Sequence, residues 1–277
     1  MDEADDLPML LGDAGFAIVR SVFTRQEIND LRRQSNEILD DRGLPLAGGT
    51  VLPNAAVEAP ELAWLFGHEK LLELAHRALA ADPIMFTYEA DLHRNYLAGA
   101  WHKDTGEQMM DGGYFGIDCF GRDDCRLIKF GIYLQEHVDG RGFHVRPGSQ
   151  KSFEIDQGTS VAVDLHPGDV VVFDLRISHR GVRPPPVDQA LRGVAQAVRK
   201  TGRGPDADAY RRRWNAFRRR PDRMALYVAF GLCNQNTSQF ASRNMGRQWQ
   251  HLGREAAELP EALRRAFDSS GVVVAEI

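Results

Sequence analysis

The spacing of the hydrophobic residues changes near residue 84, and this change constrains the fold more than any other feature of the chain. Before it, apolar residues recur at helical intervals. After it, they follow a period close to two, in short runs separated by Gly, Pro and Asp. These runs predict strands at 84–97, 126–135, 142–145, 159–165, 170–175 and 224–230. Short strands that follow a helical segment are typical of an α+β chain built on a β-sandwich or jelly roll.

The first third of the chain is predicted to form an N-terminal helical layer. Thr24 and, three residues later, Glu27 form a capping box that begins a helix, and Gly43 can end it. A second helical stretch begins near Pro60 and ends before Pro83, because proline cannot continue a helix. We therefore expect helices to cover one face of the strands that follow.

A basic segment at 184–221 interrupts the strand pattern. It begins with three prolines and carries ten basic residues against three aspartates. We interpret it as a helical insertion between two core strands. Two roles stay open for it: a solvated amphipathic excursion, or a lid or surface that attracts an anionic substrate.

The composition excludes several classes of protein. A net charge of -5 and a pI near 6.0 provide no overall positive field for nucleic acid. No apolar run approaches the roughly 18–20 residues that span a bilayer, and the acidic start lacks the features of a targeting signal. We expect one cytoplasmic domain at 1–277 that acts on a small molecule and binds neither nucleic acid nor membrane.

Three residues form a candidate metal site. His102 and Asp104 are two residues apart, so on an extended backbone both side chains point to the same face. His179 lies just past a predicted buried strand and can complete a set of two histidines and one carboxylate. Such a set leaves coordination positions open for dioxygen and a chelating co-substrate on non-haem iron(II).

A second pair with the same spacing, His137 and Asp139, competes with the first. One His-x-Asp pair is expected by chance in a chain with nine histidines, so the pattern alone does not decide. Asp139 precedes Gly140 in a hairpin-turn signal, which puts this pair on a loop. The interval between Asp104 and His179 is longer than that between Asp139 and His179 and holds more predicted strands. These strands are enough for the chain to pass around a jelly roll and return beside its starting strand. We therefore favour His102 and Asp104.

Four segments, taken together in this order, carry a family resemblance. They are the His102/Asp104 pair, the hairpin at 142–151 with Pro147-Gly148-Ser149, the turn at 167–169 with Phe173, and His179. The chain resembles the phytanoyl-CoA dioxygenase superfamily of iron(II)- and 2-oxoglutarate-dependent oxygenases. The resemblance implies a double-stranded β-helix of the cupin-like kind, iron(II) at His102, Asp104 and His179, and 2-oxoglutarate and O2 as co-substrates. Gln150 stands where the family has a histidine.

The resemblance also implies an arginine that binds the C5 carboxylate of 2-oxoglutarate. Arg223, at the start of a predicted strand, is our choice; it follows His179 at a longer interval than is usual, and the basic segment accounts for the difference. Arg183, in a proline-rich turn, is the alternative. A guanidinium binds a carboxylate through two charge-assisted hydrogen bonds. Lys129 is a further co-substrate candidate, because it shares a strand face with Tyr133.

The implied reaction is hydroxylation, or oxidative cyclisation or desaturation, of a small molecule. Asp104 favours oxygenation over halogenation, since the halide-installing relatives have a small residue at this position. We favour a substrate from natural-product biosynthesis, such as an antibiotic or sugar scaffold. Two alternatives stay open: an acyl-CoA hydroxylase whose basic segment binds the phosphates, and a cupin-type metal enzyme that does not use 2-oxoglutarate.

Overall fold

Two sheets pack face to face in the computed structural model, which describes residues 6–46, 48–96, 99–138, 142–181, 207–218, 221–252 and 258–277. The strands of this part of the chain are β1 (Phe16–Val19), β2 (Leu44–Leu46), β3 (Gly49–Leu52), β4 (Ile84–Arg94), β5 (Leu127–Tyr133), β6 (Phe143–Val145), β7 (Val161–Val163), β8 (Val170–Asp174), β9 (His179–Arg180), β10 (Met224–Leu232) and β11 (Val272–Val274). Each strand predicted from the sequence is present, with shorter bounds for most of them.

The order of the strands is that of a double-stranded β-helix. The major sheet runs β1-β8-β5-β10-β4-β3-β2, with β11 parallel beside β4, and the minor sheet runs β7-β6-β9. An isolated antiparallel bridge between His102 and His179 extends the minor sheet by one further row. The predicted architecture is therefore confirmed, and the cavity between the sheets lies beside this bridge.

The helices of the described residues are α1 (Leu7–Asp13), α2 (Arg25–Arg42), α3 (Ala55–Glu58), α4 (Ala63–Phe66), α5 (Glu69–Leu79), α6 (Ala207–Phe217), α7 (Gln235–Leu252) and α8 (Glu261–Ser269). The helix α6 falls within the predicted insertion at 184–221; residues 182–206 and 219–220 lie outside the described part. None of the described helices is long and apolar enough to cross a membrane.

The helical layer begins as the capping box predicts. The backbone N–H of Glu27 donates to Oγ1 of Thr24 at 3.2 Å, and the Glu27 carboxylate accepts from the backbone N–H of Thr24 at 2.7 Å. The second helical stretch is not continuous, however, because Gly67 separates α4 from α5. A β-carbon on Gly67 would lie 2.8 Å from the β-carbon of Ala266, so the close approach of α8 requires glycine here. The hairpin of β2 and β3 in this region was not predicted.

Successive residues on the strands of the major sheet point to two different environments, the core beneath the helices and the space facing the minor sheet. On β5, Ile128, Phe130 and Ile132 join the core beneath α2 and α5, and residues of β8 and β10 extend the same core. The intervening residues Lys129 and Tyr133 face the minor sheet. The pleat of the strands therefore gives the sheet an apolar outer face and an inner face on which polar side chains lie beside a smaller apolar cluster that includes Val171 and Phe173.

Candidate metal centre

Backbone pairing brings the three predicted ligands together. The backbone N–H of His102 donates to the carbonyl of His179 at 3.0 Å, and the reverse bond is 2.9 Å. Asp104 is held two residues further on, where its backbone N–H donates to the carbonyl of Leu175 at 3.0 Å. One ligand atom from each of His102, Asp104 and His179 lies within 4.8 Å of the other two.

The two histidines are oriented by their own backbones. Nδ1 of His102 lies 3.0 Å from the carbonyl of Ala100, and Nδ1 of His179 lies 3.1 Å from the carbonyl of Ile177. A carbonyl only accepts, so each Nδ1 carries the proton and each Nε2 keeps its lone pair. Both Nε2 atoms lie 3.6 Å from a carboxylate oxygen of Asp104. This is the tautomer that a metal ligand requires.

The protonation states also fit a bound cation. Burial lowers the pKa of His179 to about 3, so its ring is neutral near pH 7. Burial acts to raise the pKa of Asp104, but the charge and hydrogen bond of Lys129, together with His179 and His102, outweigh it and hold this pKa well below its usual range. A neutral imidazole at His179 and an ionised carboxylate at Asp104 belong to the ligand set that non-haem iron(II) takes. The residues present therefore fit the metal that the resemblance implies.

The loop that contains Ser149 supports both ligand segments. Its hydroxyl accepts a hydrogen bond from the backbone N–H of Ser178 at 2.8 Å, next to His179. The ammonium of Lys103, between the other two ligands, donates to the carbonyl of Ser149 at 2.7 Å and to that of Arg176 at 2.8 Å. One loop thus restrains the backbone on both sides of the bridge.

A row of buried charges continues from the metal ligands across the floor of the site. Nζ of Lys129 donates to Oδ2 of Asp104 at 2.7 Å and also forms an ion pair with Glu89. Burial raises the pKa of Glu89 to about 7. Glu89 lies within a bulge in β4, at which Tyr88 has a φ of 61° and the register with β10 shifts. Such bulges redirect side chains beside functional sites, and this one lies next to the carboxylate that meets Lys129.

A cavity of about 1080 Å³ opens beside the three ligands. Arg223 lines it at the start of β10, and the hydroxyls of Tyr133 and Tyr227 lie 3.2 Å apart on the same inner face. Cavities of this size bury most of a drug-sized molecule. The space therefore accommodates a five-carbon dicarboxylate together with a second, larger molecule.

The other predicted residues separate into two groups. Arg223 and Lys129 both line this cavity. His137 lines it as well, but its Nε2 lies 2.6 Å from the side-chain nitrogen of Gln135, and it is not one of the three residues whose ligand atoms converge. Asp139 and Arg183 lie outside the described residues.

Several cavity residues were not predicted. Glu89, Asp91 and His93 alternate along β4 and all face inward, while Asn244 and Gln248 reach the same cavity from α7. The alternation on β4 was visible in the sequence as a polar face. The contribution of α7 had no such signal, because nothing in its sequence shows which strand it packs against.

Comparison with known proteins gives structural matches only. No protein-family model and no curated protein matches the chain. The non-haem α-ketoglutarate-dependent carbocyclase SnoK from nogalamycin biosynthesis matches with a TM-score of 0.58 and 18% identity, over 92% of each chain. The epimerase SnoN from the same biosynthesis matches with a TM-score of 0.57 and 12% identity, over 83% of each chain. HygX from Streptomyces hygroscopicus, solved with nickel and 2-oxoglutarate bound, matches with 0.55 and 16%, over 81% of this chain and 85% of its own.

The chain has the fold of these 2-oxoglutarate-dependent enzymes. The coverage extends over most of both chains, so the shared architecture includes the sheets that carry the three candidate ligands.

Proposed function

We propose that the protein is a non-haem iron(II) oxygenase that uses 2-oxoglutarate and O2 to oxidise a C–H bond of a small molecule. One observation carries the proposal: two histidine Nε2 atoms and one ionised carboxylate converge beside the cavity of a double-stranded β-helix. His102, Asp104 and His179 would hold the metal. Iron(II) bound there supplies, with 2-oxoglutarate and O2, the oxidising chemistry that removes hydrogen from a substrate.

The remaining cavity residues have separate tasks in this proposal. Arg223 binds the C5 carboxylate of 2-oxoglutarate, since a guanidinium stays charged and can donate two parallel hydrogen bonds. Tyr133 and Tyr227 lie on the same inner face and add hydroxyl donors near that end. Lys129 keeps Asp104 ionised and in one orientation, and its predicted contact with the co-substrate stays a prediction.

The reaction class we favour is hydroxylation, desaturation or oxidative ring closure in natural-product biosynthesis. The fold supports this, because SnoK and SnoN are named for nogalamycin biosynthesis and catalyse different outcomes, a carbocyclisation and an epimerisation. The protein positions one C–H bond and excludes competing reactions, while the metal and co-substrate provide the chemistry.

Formation of succinate from 2-oxoglutarate tests the proposal. With Fe(II) and O2 we expect slow turnover without substrate, and its loss in Asp104→Ala because one of three metal ligands is removed. Asp123→Asn is the control, since the Asp123 side chain is 99% exposed. Absence of any metal-dependent turnover, together with absence of Mn(II) binding, would overturn the proposal. Consumption of O2 with no need for 2-oxoglutarate would favour a cupin-type enzyme instead.

A further inference from the structure

Asn95 holds the backbone of Arg223 through two hydrogen bonds. Its backbone N–H donates to the carbonyl of Arg223 at 2.7 Å, and its side-chain oxygen accepts from the backbone N–H of Arg223 at 3.1 Å. Asn95 is buried just beyond β4 and has a φ of 55°. Asparagine adopts this left-handed conformation more readily than most residues. The start of β10 is therefore fixed by a residue that suits this strained position.

Asp222, the residue before Arg223, links Asn95 to the helix α6. Its Oδ1 accepts from Nδ2 of Asn95 at 3.1 Å and from Nδ2 of Asn215, on α6, at 2.8 Å. Nε of Arg212, on the same helix, lies 3.6 Å from Oδ2 of Asp222. One carboxylate thus connects α6 with the segment that precedes β10 and with the segment that follows β4.

Arg211 joins α6 to Asn95 directly. Arg211 is buried, and its Nη1 donates to the carbonyl of Asn95 at 2.9 Å. A hydrogen bond from a charged donor is stronger than a neutral one, and burial strengthens it further. Trp214 and Phe217, two aromatic residues of the same helix, are 38% and 77% exposed. These rings therefore contribute little to the attachment of α6, and the polar contacts contribute more.

The side chain of Arg223 acts at the inner face of the sheet. It lines the cavity beside the candidate metal ligands. Burial and, next, the positive charge of Arg223 lower the pKa of His137 to about 3. Burial raises the pKa of Tyr133 and of Tyr227, and the charge of Arg223 opposes this effect. Arg223 thus connects the polar network of α6 with the cavity.

We infer that α6 braces the co-substrate arginine, Arg223. Arg211 and Asn215 are positioning residues that hold Asn95 and Asp222. These two fix the backbone from which the Arg223 side chain reaches 2-oxoglutarate. A guanidinium binds a carboxylate through two parallel hydrogen bonds only in a narrow range of orientations, so a displaced backbone costs affinity. The inference rests on the proposed function, because it assigns supporting residues to that same site.

Calorimetry of 2-oxoglutarate binding to the Mn(II)-loaded protein, without O2, tests the inference. Asn215→Ala removes a donor to Asp222 without a change of charge and should weaken 2-oxoglutarate binding by about fivefold or more. Arg211→Ala should weaken it at least as much. The Mn(II) affinity should stay unchanged in both variants. Unchanged 2-oxoglutarate affinity in both overturns the inference, and so does an equal loss of Mn(II) affinity, which would show a general destabilisation.

Arg213→Ala is the matched control for the loss of charge in Arg211→Ala. Arg213 lies on the same helix but is exposed, and its substitution removes the same positive charge. We expect it to leave 2-oxoglutarate binding within about twofold of the wild-type value, because exposed charges are screened by salt. Equal weakening in the two arginine variants would show that α6 acts through its charge alone and would overturn the inference.

A double-mutant cycle with Arg223→Gln identifies the residue through which α6 acts. In the Arg223→Gln background, Asn215→Ala should weaken 2-oxoglutarate binding by less than about twofold, since the guanidinium that it positions is absent. The same loss in both backgrounds would show that Asn215 acts elsewhere, and the inference would fail.

The outcomes separate the brace from the proposed function. Failure of the wild-type protein to bind Mn(II) and 2-oxoglutarate would overturn the proposed function and, with it, the brace. Normal binding of both by the wild-type protein, with full affinity in Arg211→Ala and Asn215→Ala, would overturn the brace alone.

Discussion

The outer and inner faces of the major sheet are built from the same strands, but only the inner face combines apolar residues with buried charges. On the outer face, Phe130 and its neighbours Ile128 and Ile132 are fully buried in the apolar core that includes residues of α2 and α5. On the inner face, Lys129 of the same strand is buried between two carboxylates. The hydrophobic free energy of the fold comes mainly from one face, and the polar groups that a catalytic site needs lie on the other.

This separation explains how the chain tolerates so many buried charges. A buried ion pair contributes little net stability, because the cost of removing the charges from water offsets their attraction. The apolar outer face offsets that cost. We therefore expect substitutions on the outer face to change folding stability and substitutions on the inner face to change binding as well.

The largest effect should follow from a truncation on the outer face. Phe130→Ala removes a fully buried ring that lies 6.0 Å from the ring of Phe230, and should lower the free energy of unfolding by about 3–5 kcal/mol. Urea denaturation of the metal-free protein measures it, with Ile128→Val as a milder control at about 1 kcal/mol. The Mn(II) affinity of the folded variant should stay unchanged; a parallel loss would show that the two faces are coupled.

Removal of the buried ammonium is the corresponding change on the inner face. Lys129→Met leaves Asp104 and Glu89 without their partner and should lower the free energy of unfolding of the metal-free protein by about 3 kcal/mol. Mn(II) restores a positive charge beside Asp104, so the metal should stabilise this variant more than the wild-type protein. Urea denaturation in the presence of chelator and of Mn(II) gives both values.

The exposed Lys151→Met is the matched control for this substitution. Equal stabilisation of variant and wild type by Mn(II) would contradict the proposal that Lys129 and the metal act on the same carboxylate.

Substitution of the co-substrate arginine should weaken the binding of 2-oxoglutarate. Arg223→Gln removes the positive charge from one end of the cavity and should weaken 2-oxoglutarate binding by about ten- to a hundredfold, the value of a charge-assisted hydrogen bond. Calorimetry with Mn(II) present measures this affinity, and the exposed Arg213→Gln is the control. If 2-oxoglutarate binds Arg223→Gln normally, another residue holds its C5 carboxylate.

Acid should destabilise the metal-free protein because buried histidines line the cavity on the inner face. Burial lowers the pKa of His93 to about 4 and that of His137 and His179 to about 3, so the folded protein stays neutral at these rings while the unfolded chain takes up protons below pH 6.5. The free energy of unfolding that depends on these neutral, buried rings is therefore fully present above pH 6.5 and decreases as the pH falls toward 4. Each of these histidines should lower the free energy of unfolding by up to about 1.4 kcal/mol per pH unit.

Urea denaturation at several pH values tests this dependence in a single-site variant. His137→Gln should make the decrease in stability between pH 6.5 and 5 shallower, since one of the three rings no longer titrates. The exposed His166→Gln should leave the slope as it is in the wild-type protein. The same slope in His137→Gln as in wild type would show that this ring is not held neutral by the fold.

Much of the site follows from local pattern. The alternation on β5 predicts that Lys129 and Tyr133 face away from Ile128 and Phe130, because a pleated strand sends successive side chains to opposite faces. The capping box predicts the start of α2, since it depends on hydrogen bonds within four residues. The order of strands between Asp104 and His179 was enough to choose the ligand pair over its rival.

Other features depended on contacts between distant segments. A side chain at residue 67 would collide with Ala266 of α8, and Asn244 reaches Glu89 only because α7 lies beside β4. His137 enters the cavity although its loop position argued against a role there. Periodicity reports which face a residue occupies, and it does not report which other element covers that face.

Spacing along the chain was enough to predict a jelly-roll class of fold, the two faces of β5, and three residues that could share a metal, while the double-stranded β-helix and the iron came from the family resemblance. Only the tertiary structure decided how those residues meet. The bridge between His102 and His179 arises from the closure of two sheets, and the contact of Asn244 with Glu89 arises from the packing of α7, so both bring together atoms that are far apart in the sequence.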